Sequence, residues 1–141
     1  MSSKRKGSRP SRGKPSAPDQ DVLASLRGQK DEYPLLSMRF LQKDWGFSPL
    51  DDSMRLAFLE KWHKRSSFTW KELAQHQGHG LGSEFIPSSQ IKPAIPRQFQ
   101  DVEKFRVFRH QGNLPFVGWR DGAIFYLIWI EKEYNDLYNH S

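Results

Sequence analysis

Arginine and histidine residues lie inside a run of aromatic residues in the second half of the chain, and their types suit phosphate chemistry. The segment Lys104–Glu131 holds Arg106, Arg109, His110 and Arg120 among phenylalanine and tryptophan residues. Guanidinium groups bind phosphates through paired hydrogen bonds, and aromatic rings stack on unpaired bases. The pattern therefore predicts an RNA-binding surface. The alternative is that Arg106 and Arg109 pair with acids on an exposed strand.

Two further candidates, Tyr138 and His140, follow this segment. Metal-free RNA cleavage needs a base that takes the 2′-hydroxyl proton, a cation that stabilises the phosphorane charge, and an acid that protonates the leaving oxygen. Tyrosine and histidine beside arginine can fill these roles. The alternative is that the Tyr138 ring packs on the sheet edge and that His140 belongs to a frayed terminus.

The sequence does not favour a metal site or a cofactor. His76 and His79 lie at the end of a predicted helix and in a glycine-rich loop, but a zinc site needs two more ligands and the chain has no cysteine. The glycines at 78, 80 and 82 do not follow a strand, so they do not form a nucleotide-binding fingerprint. We therefore expect neither a metal nor a cofactor.

The elements that must position the candidate residues are three antiparallel strands in a meander. Asp121-Gly122 between apolar runs is a strong hairpin signal, and Gln111-Gly112-Asn113 marks the preceding turn. Alternation along the first strand places Arg106 and His110 on one face and Arg109 on the other. Along the third strand, alternation predicts one face that contains Phe125, Leu127 and Trp129.

One strand and two helices are predicted upstream of the meander. Leu35–Lys43 alternates as a half-buried strand does, and Leu50–Lys64 has the helical period, with Asp51, Asp52 or Ser53 as the cap. A capping box formed by Thr69 and Glu72 starts the second helix. Glycines and prolines make Gly78–Pro96 a long irregular loop. The apolar side of the first helix is predicted to contain Met54, Leu56, Phe58, Leu59, Trp62 and His63.

This element order predicts an α+β fold of two layers, with the helices on one face of the sheet. Residues 35–141 form this single domain. Residues 1–20 are predicted to be a disordered basic tail, because they contain almost no large apolar residue that could offset the entropy of ordering. Residues 21–34 are predicted to be a linker or a short helix.

The positive charge of the chain is concentrated in the predicted tail. The chain has 22 Lys and Arg against 16 Asp and Glu, which gives a net charge of +6, and six of the basic residues lie in an acid-free stretch at residues 1–18. Such an arm can contact phosphates without sequence preference, or it can act only as a solubilising leader. These six residues are Lys4, Arg5, Lys6, Arg9, Arg12 and Lys14.

Composition narrows the class of protein. A chain of 141 residues with 36% hydrophobic residues suits one globular domain, and its 13% aromatic content suits a small aromatic core. The lack of cysteine is compatible with a reducing compartment, and no apolar run is long enough to span a membrane. We therefore expect a cytoplasmic protein without a membrane partner.

Two family resemblances follow from these residues. Gly118-Trp119-Arg120-Asp121-Gly122, with Phe125, Trp129 and Tyr138, resembles the ending of a group of small bacterial proteins; Glu131 stands where those tend to have Asp, and Tyr134 lies near their usual His. The element order over residues 35–140 also resembles the RelE/ParE-like toxin superfamily. Ribonuclease members of that superfamily cleave RNA without a metal, whereas ParE-like members target a protein. The resemblance implies sheet and C-terminal side chains as the site, namely Arg106, Arg109, Arg120 and Tyr138.

Two hypotheses result. The first is a bacterial or phage protein that binds RNA or the ribosome, cleaves RNA without a metal, and is neutralised as a toxin by an antitoxin protein. Arg106 and Arg109 would hold phosphate and Arg120 would stabilise charge, while proton transfer would fall to His110, Tyr138 or His140. The second is a non-catalytic protein-interaction module whose basic tail binds nucleic acid. Convergence of the arginines with Tyr138 in one concave site favours the first, and their scattering or pairing with acids favours the second.

Overall fold

A five-stranded mixed sheet organises the structure. The structure, a computed structural model, describes residues 32–75 and 81–140. Three parts of the prediction therefore lie outside the described residues: the tail at 1–20, most of the segment 21–34, and the pair His76 and His79. The strands are β1 Leu35–Ser37, β2 Glu84–Pro87, β3 Lys104–Gln111, β4 Leu114–Asp121 and β5 Ile124–Ile130. Their order across the sheet is β1-β5-β4-β3-β2; β1 runs parallel to β5 and the other neighbours are antiparallel.

The predicted meander forms the centre of this sheet, with turns displaced from the predicted positions. Gln111 pairs with Leu114 and Asp121 with Ile124, so the two-residue loops are Gly112-Asn113 and Gly122-Ala123. Both glycines have positive φ, +56° at Gly112 and +60° at Gly122. A two-residue hairpin of type II′ requires this conformation at its first loop position, which explains why glycine occupies it. Asp121 is therefore the last strand residue rather than a turn residue.

The sheet has two more strands than the meander, and the prediction was only partly right about them. β1 joins the sheet as expected, but it ends at Ser37. The chain then forms two successive turns, in which the Leu41 amide donates to the Met38 carbonyl and the Trp45 amide donates to the Gln42 carbonyl. The predicted irregular loop at 78–96 was wrong in one part, since it contains β2. This strand pairs with β3 along its whole length.

Two helices precede β2, and their starts confirm the capping predictions. Helix α1 spans Asp52–Arg65, and its cap residue Asp51 accepts a hydrogen bond of 2.8 Å from the Met54 amide. Helix α2 spans Trp70–Leu73 and begins with the complete capping box of Thr69 and Glu72. Neither helix in the described ranges is long and apolar enough to cross a membrane.

Both faces of the sheet are covered. On the helix face, Phe58 of α1 and Trp70 of α2 pack against an aromatic cluster that includes Phe108, Phe116 and Phe125. The opposite face is covered by segments without long helices, through Ile91, Phe99, Leu137 and Tyr138. The predicted apolar side of α1 was too broad, because Leu56 and Leu59 are 56% and 57% exposed.

A β-bulge between β4 and β5 breaks the predicted alternation of the third strand. Val117 pairs with Trp129 whereas Gly118 pairs with Leu127, so Ile128 is an extra residue on β5. Ile128 and Trp129 consequently both belong to the cluster opposite the helices, while Leu127 belongs to the helix-side cluster. An extra residue shifts the side-chain register by one position, which is why simple alternation was wrong beyond this point.

Candidate nucleic-acid interface

The six residues predicted to be catalytic do not meet in one site. Arg106 and Arg120 lie together against Trp70 on the helix side of the sheet. Tyr138 and His140 stack on each other on the opposite side, and the charge of Arg109 acts on Tyr138. His110 is fully buried, and its Nε2 lies 2.8 Å from the backbone carbonyl of Glu131.

Arg106 is positioned by the pairing of β2 with β3. Its register partner is Phe85, and its guanidinium carbon lies 4.6 Å from the centre of the Phe85 ring. One terminal nitrogen donates to the Ser83 hydroxyl at 2.8 Å. Its Nε is buried and has no hydrogen-bond partner among the described residues. Arg106 is thus held in place while retaining an unused donor.

Arg120 approaches Arg106 from β4, and Trp70 lies against both guanidinium groups. The guanidinium carbon of Arg120 is 4.5 Å from the Trp70 ring, and that of Arg106 is 5.4 Å from it. The ring is anchored because Trp70 Nε1 donates to the Ala123 carbonyl at 2.9 Å. Arg120 Nε donates to the Gly122 carbonyl at 2.7 Å, so the second hairpin turn orients this side chain.

The electrostatics of this pair favour an anion. Burial lowers the pKa of Arg106, and the positive charge of Arg120 lowers it further. Burial also lowers the pKa of Arg120. The carboxylate of Glu32 acts in the opposite direction and raises this pKa, with its Oε1 3.9 Å from Nη2 of Arg120. The positive charges of Arg106 and Arg120 repel each other. A negative group between the two guanidinium groups would relieve this repulsion.

These arginines form part of an open depression of about 320 Å³ that we call the arginine–aromatic cleft. Phe85 is 49% exposed there, although large apolar side chains are usually buried. The sequence predicted Arg106 and Arg120 as site residues but not Phe85, because β2, which contributes Phe85, lay in the predicted loop. The cleft is lined by Phe85, Val102, Glu103, Lys104, Arg106, Trp119 and Arg120.

A second constellation, which we call the C-terminal cluster, forms around a buried carboxylate. Glu131 is fully buried, and it accepts hydrogen bonds from the Leu137 amide at 2.9 Å and from His140 Nε2 at 2.7 Å. Burial raises the pKa of Glu131, while the Leu137 amide and His140 act in the opposite direction. The frayed-terminus alternative for His140 is therefore wrong, because Glu131 holds its side chain in place.

Three rings stack in this cluster. The His140 ring centre lies 4.1 Å from that of Tyr134 and 4.3 Å from that of Tyr138. Burial raises the pKa of Tyr138, and the nearby charge of Arg109 lowers it. Arg109 also forms an ion pair of 2.8 Å with Glu84 on β2. The His140 side chain is only 4% exposed, so the stack closes over it.

His110 is the extra residue of a second bulge, where Arg109 pairs with Pro115 and Gln111 with Leu114. Its Nε2 lies 2.8 Å from the Glu131 backbone carbonyl, which only accepts, so Nε2 carries the hydrogen. Burial lowers the pKa of His110, and the charges of Lys61 and Arg65 contribute to that decrease. A neutral imidazole held in this way joins β3 to the segment after β5 and lies at neither surface.

Comparison of the chain with protein-family models, with curated proteins and with solved structures finds no match. The resemblances to RelE/ParE-like toxins and to small bacterial proteins therefore stay predictions. The geometry and chemistry of the chain's own residues therefore indicate its function.

Proposed function

We propose that this protein binds single-stranded RNA in the arginine–aromatic cleft. The observation that carries the proposal is the juxtaposition of two guanidinium groups, Arg106 and Arg120, with the exposed ring of Phe85. Guanidinium groups bind phosphate bidentately, and unpaired bases stack on aromatic side chains whatever their identity. A strand with splayed bases presents both kinds of group, whereas a duplex buries the faces of its bases.

The charge arrangement supports phosphate as the anion. Lys104 lines the cleft together with Arg106 and Arg120, so three cations lie around one depression. The Lys104 ammonium lies 4.5 Å from the Phe85 ring, so charge and stacking surface are adjacent. Phosphates and bases alternate along an RNA strand, which matches this adjacency.

The separation of the two constellations favours binding rather than catalysis at this cleft. Arg109 and Tyr138, which would have to share a site with Arg106 for cleavage there, lie on the other side of the sheet. The basic tail would add non-specific phosphate contacts to the same RNA. This combination corresponds to a binding module rather than to an enzyme built on β3.

A second candidate function is metal-free RNA cleavage at the C-terminal cluster. The observation that favours it is the 2.7 Å contact between Glu131 and His140, because a buried carboxylate that orients an imidazole creates a positioned base. Arg109 would stabilise the phosphorane charge and Tyr138 would supply a proton. Since His140 is almost fully covered, Tyr134 would have to move before a 2′-hydroxyl could approach. A toxin with an antitoxin partner belongs to this candidate.

Fluorescence anisotropy with a labelled single-stranded RNA of mixed sequence tests the first candidate. We expect the full chain with Arg106→Gln and Arg120→Gln to bind about tenfold more weakly or worse, because hydrogen bonds to charged groups are lost. The matched control is Arg97→Gln combined with Arg39→Gln, which removes two exposed arginines from elsewhere. Equal affinity of the two double variants, both folded by circular dichroism, would exclude the cleft as the RNA site.

The same RNA, incubated in EDTA and separated on a denaturing gel, tests the second candidate. Cleavage that His140→Gln and Arg109→Gln each abolish, but that Arg97→Gln leaves intact, would support it. RNA that stays full-length with the wild-type chain, alone and with ribosomes, would contradict it.

A further inference from the structure

Glu103 is the one acidic residue among the described residues that line the arginine–aromatic cleft. It is exposed, it directly precedes β3, and it lies beside the cationic Lys104. Its backbone is fixed because the Glu103 carbonyl accepts a 2.8 Å hydrogen bond from the Ser88 amide, just after β2. None of the ion pairs among the described residues involves Glu103. An ionised carboxylate accepts hydrogen bonds but cannot donate them. A ligand that binds the cations of this cleft and also contacts Glu103 therefore needs hydrogen-bond donors as well as a negative group.

Of the RNA bases, guanine meets this requirement best. An ionised carboxylate only accepts, through two oxygens side by side. The Watson–Crick edge of guanine presents two adjacent donors, N1–H and the 2-amino group. In adenine and cytosine the amino group has an acceptor nitrogen next to it, and in uracil the single N–H lies between two carbonyls. A carboxylate therefore gains two hydrogen bonds from guanine and meets an acceptor on each of the other bases.

We infer that the cleft is selective for guanine and that Glu103 is its specificity-determining residue. The inference rests on the proposed RNA binding and specifies the ligand of that same cleft. Arg106, Arg120 and Lys104 bind the phosphate, and Phe85 stacks on the base. Glu103 accepts from the Watson–Crick edge of guanine.

The size of the cleft fits a single nucleotide. Its volume of about 320 Å³ is at the lower end of small-molecule sites, which span roughly 300–1,000 Å³. Trp119 provides a second aromatic wall, and it contacts Phe99 at 6.0 Å between ring centres. The ligand chemistry, a guanine base joined to a phosphate, is shared by a guanosine inside an RNA strand and by a free guanine nucleotide.

The test uses oligouridine strands with one central guanosine, inosine, adenosine or cytidine, bound to the full chain in anisotropy titrations. We expect the guanosine strand to bind about tenfold more tightly than the adenosine strand, as for a bidentate base contact. Inosine, which keeps N1–H but lacks the 2-amino group, should be intermediate. Competition by 5′-GMP but not 5′-AMP would identify a free nucleotide as a ligand; guanine preference without that competition would identify an RNA strand.

Glu103→Gln is the decisive variant, since its amide keeps the shape but replaces one acceptor with a donor. It should abolish the preference for guanosine, while the matched control Asp101→Asn, an exposed acid two residues away, should retain it. Binding that depends on Arg106 and Arg120 but shows no guanosine preference, or a preference that survives Glu103→Gln, would overturn the inference and leave the proposed RNA binding intact. Binding that is unchanged when Arg106 and Arg120 are replaced with glutamine would overturn both the guanine selectivity and the proposed RNA binding in the cleft.

Discussion

Two arginines of this chain show that residue type alone does not reveal a role. Arg65 is fully buried, and it donates to the backbone carbonyls of Leu81 and Arg109 while lying 4.6 Å from the Phe108 ring. Burial lowers the pKa of Arg65 to about 10, so it stays charged at neutral pH. Its hydrogen bonds join α1 to β3 and to the segment that precedes β2. Arg106, by contrast, turns its charge toward an open cleft.

His110 gives a prediction at the scale of one residue. Its folded-state pKa is lowered from 6.5, so the unfolded chain binds a proton more readily than the folded chain does. The stability contributed by neutral His110 is thus complete above pH 6.5 and is lost as the pH falls below it. One group can cause a loss of at most about 1.4 kcal/mol per pH unit. Urea unfolding at pH 7.5 and pH 5.5 should show a smaller acid loss in His110→Gln.

The matched control for that prediction is His63→Gln, because His63 is exposed on α1. It should keep the acid sensitivity of the wild type. The glutamine at position 110 can still donate to the Glu131 carbonyl, so the variant can retain this hydrogen bond. If both variants lose stability with acid as steeply as the wild type, burial of a neutral His110 is not the cause.

At the scale of an element, the close contact between β4 and β5 depends on Gly118. A Cβ at this position would lie 2.0 Å from the Tyr126 carbonyl oxygen and 2.8 Å from Cζ of Phe125. The first of these atoms is backbone within the bulged strand pair, which cannot move without breaking the sheet register. The small space between the strands therefore explains why glycine occupies position 118.

Gly118→Ala should cost about 1–3 kcal/mol of unfolding free energy or more, as forced overpacking does. Thermal and urea unfolding measure this loss. Gly46→Ala is the control, since its Cβ would crowd the side chain of Leu41, at 3.1 Å, which can rotate away, and would lie at an ordinary contact distance of 3.9 Å from the Gln42 carbonyl oxygen. Equal losses in the two variants would contradict the assignment of Gly118 to a close strand contact.

At the scale of the whole molecule, the net positive charge and the cleft lie in different parts of the chain. The six basic residues of 1–18 account for the whole net charge of +6, so the positive and negative charges of the remaining residues cancel. The cations of the cleft are therefore only a local cluster. Long-range attraction to RNA would therefore come from the tail. Selection of a base would come from the folded domain.

Replacing the six basic tail residues with serine, at unchanged chain length, separates these contributions. The slope of log affinity against log salt should become shallower by up to about 4, because each phosphate contact on a single strand accounts for about 0.7. The guanosine preference should persist in the same variant. Titrations between 50 and 200 mM salt measure both quantities. An unchanged slope would show that the tail makes no phosphate contacts.

The sequence by itself determined the features that depend on neighbours a few residues apart. The two hairpins follow from glycines that supply positive φ, and the helix starts follow from Asp51 and from the capping box of Thr69 with Glu72. These interactions close within one turn of chain, so residue type and spacing suffice to predict them.

Only the tertiary structure decided which candidate residues meet. The pairing of β2 with β3 brought Phe85 to Arg106, and the fold of the last ten described residues brought His140 to Glu131. The bulge at Ile128 reversed the facing of Trp129. Each of these outcomes depends on contacts between distant segments or on one extra residue in a strand, which local patterns do not encode. Alternation along β3 already placed Arg106 and Arg109 on opposite faces of the sheet, but only the fold showed which residues of other segments join each of them.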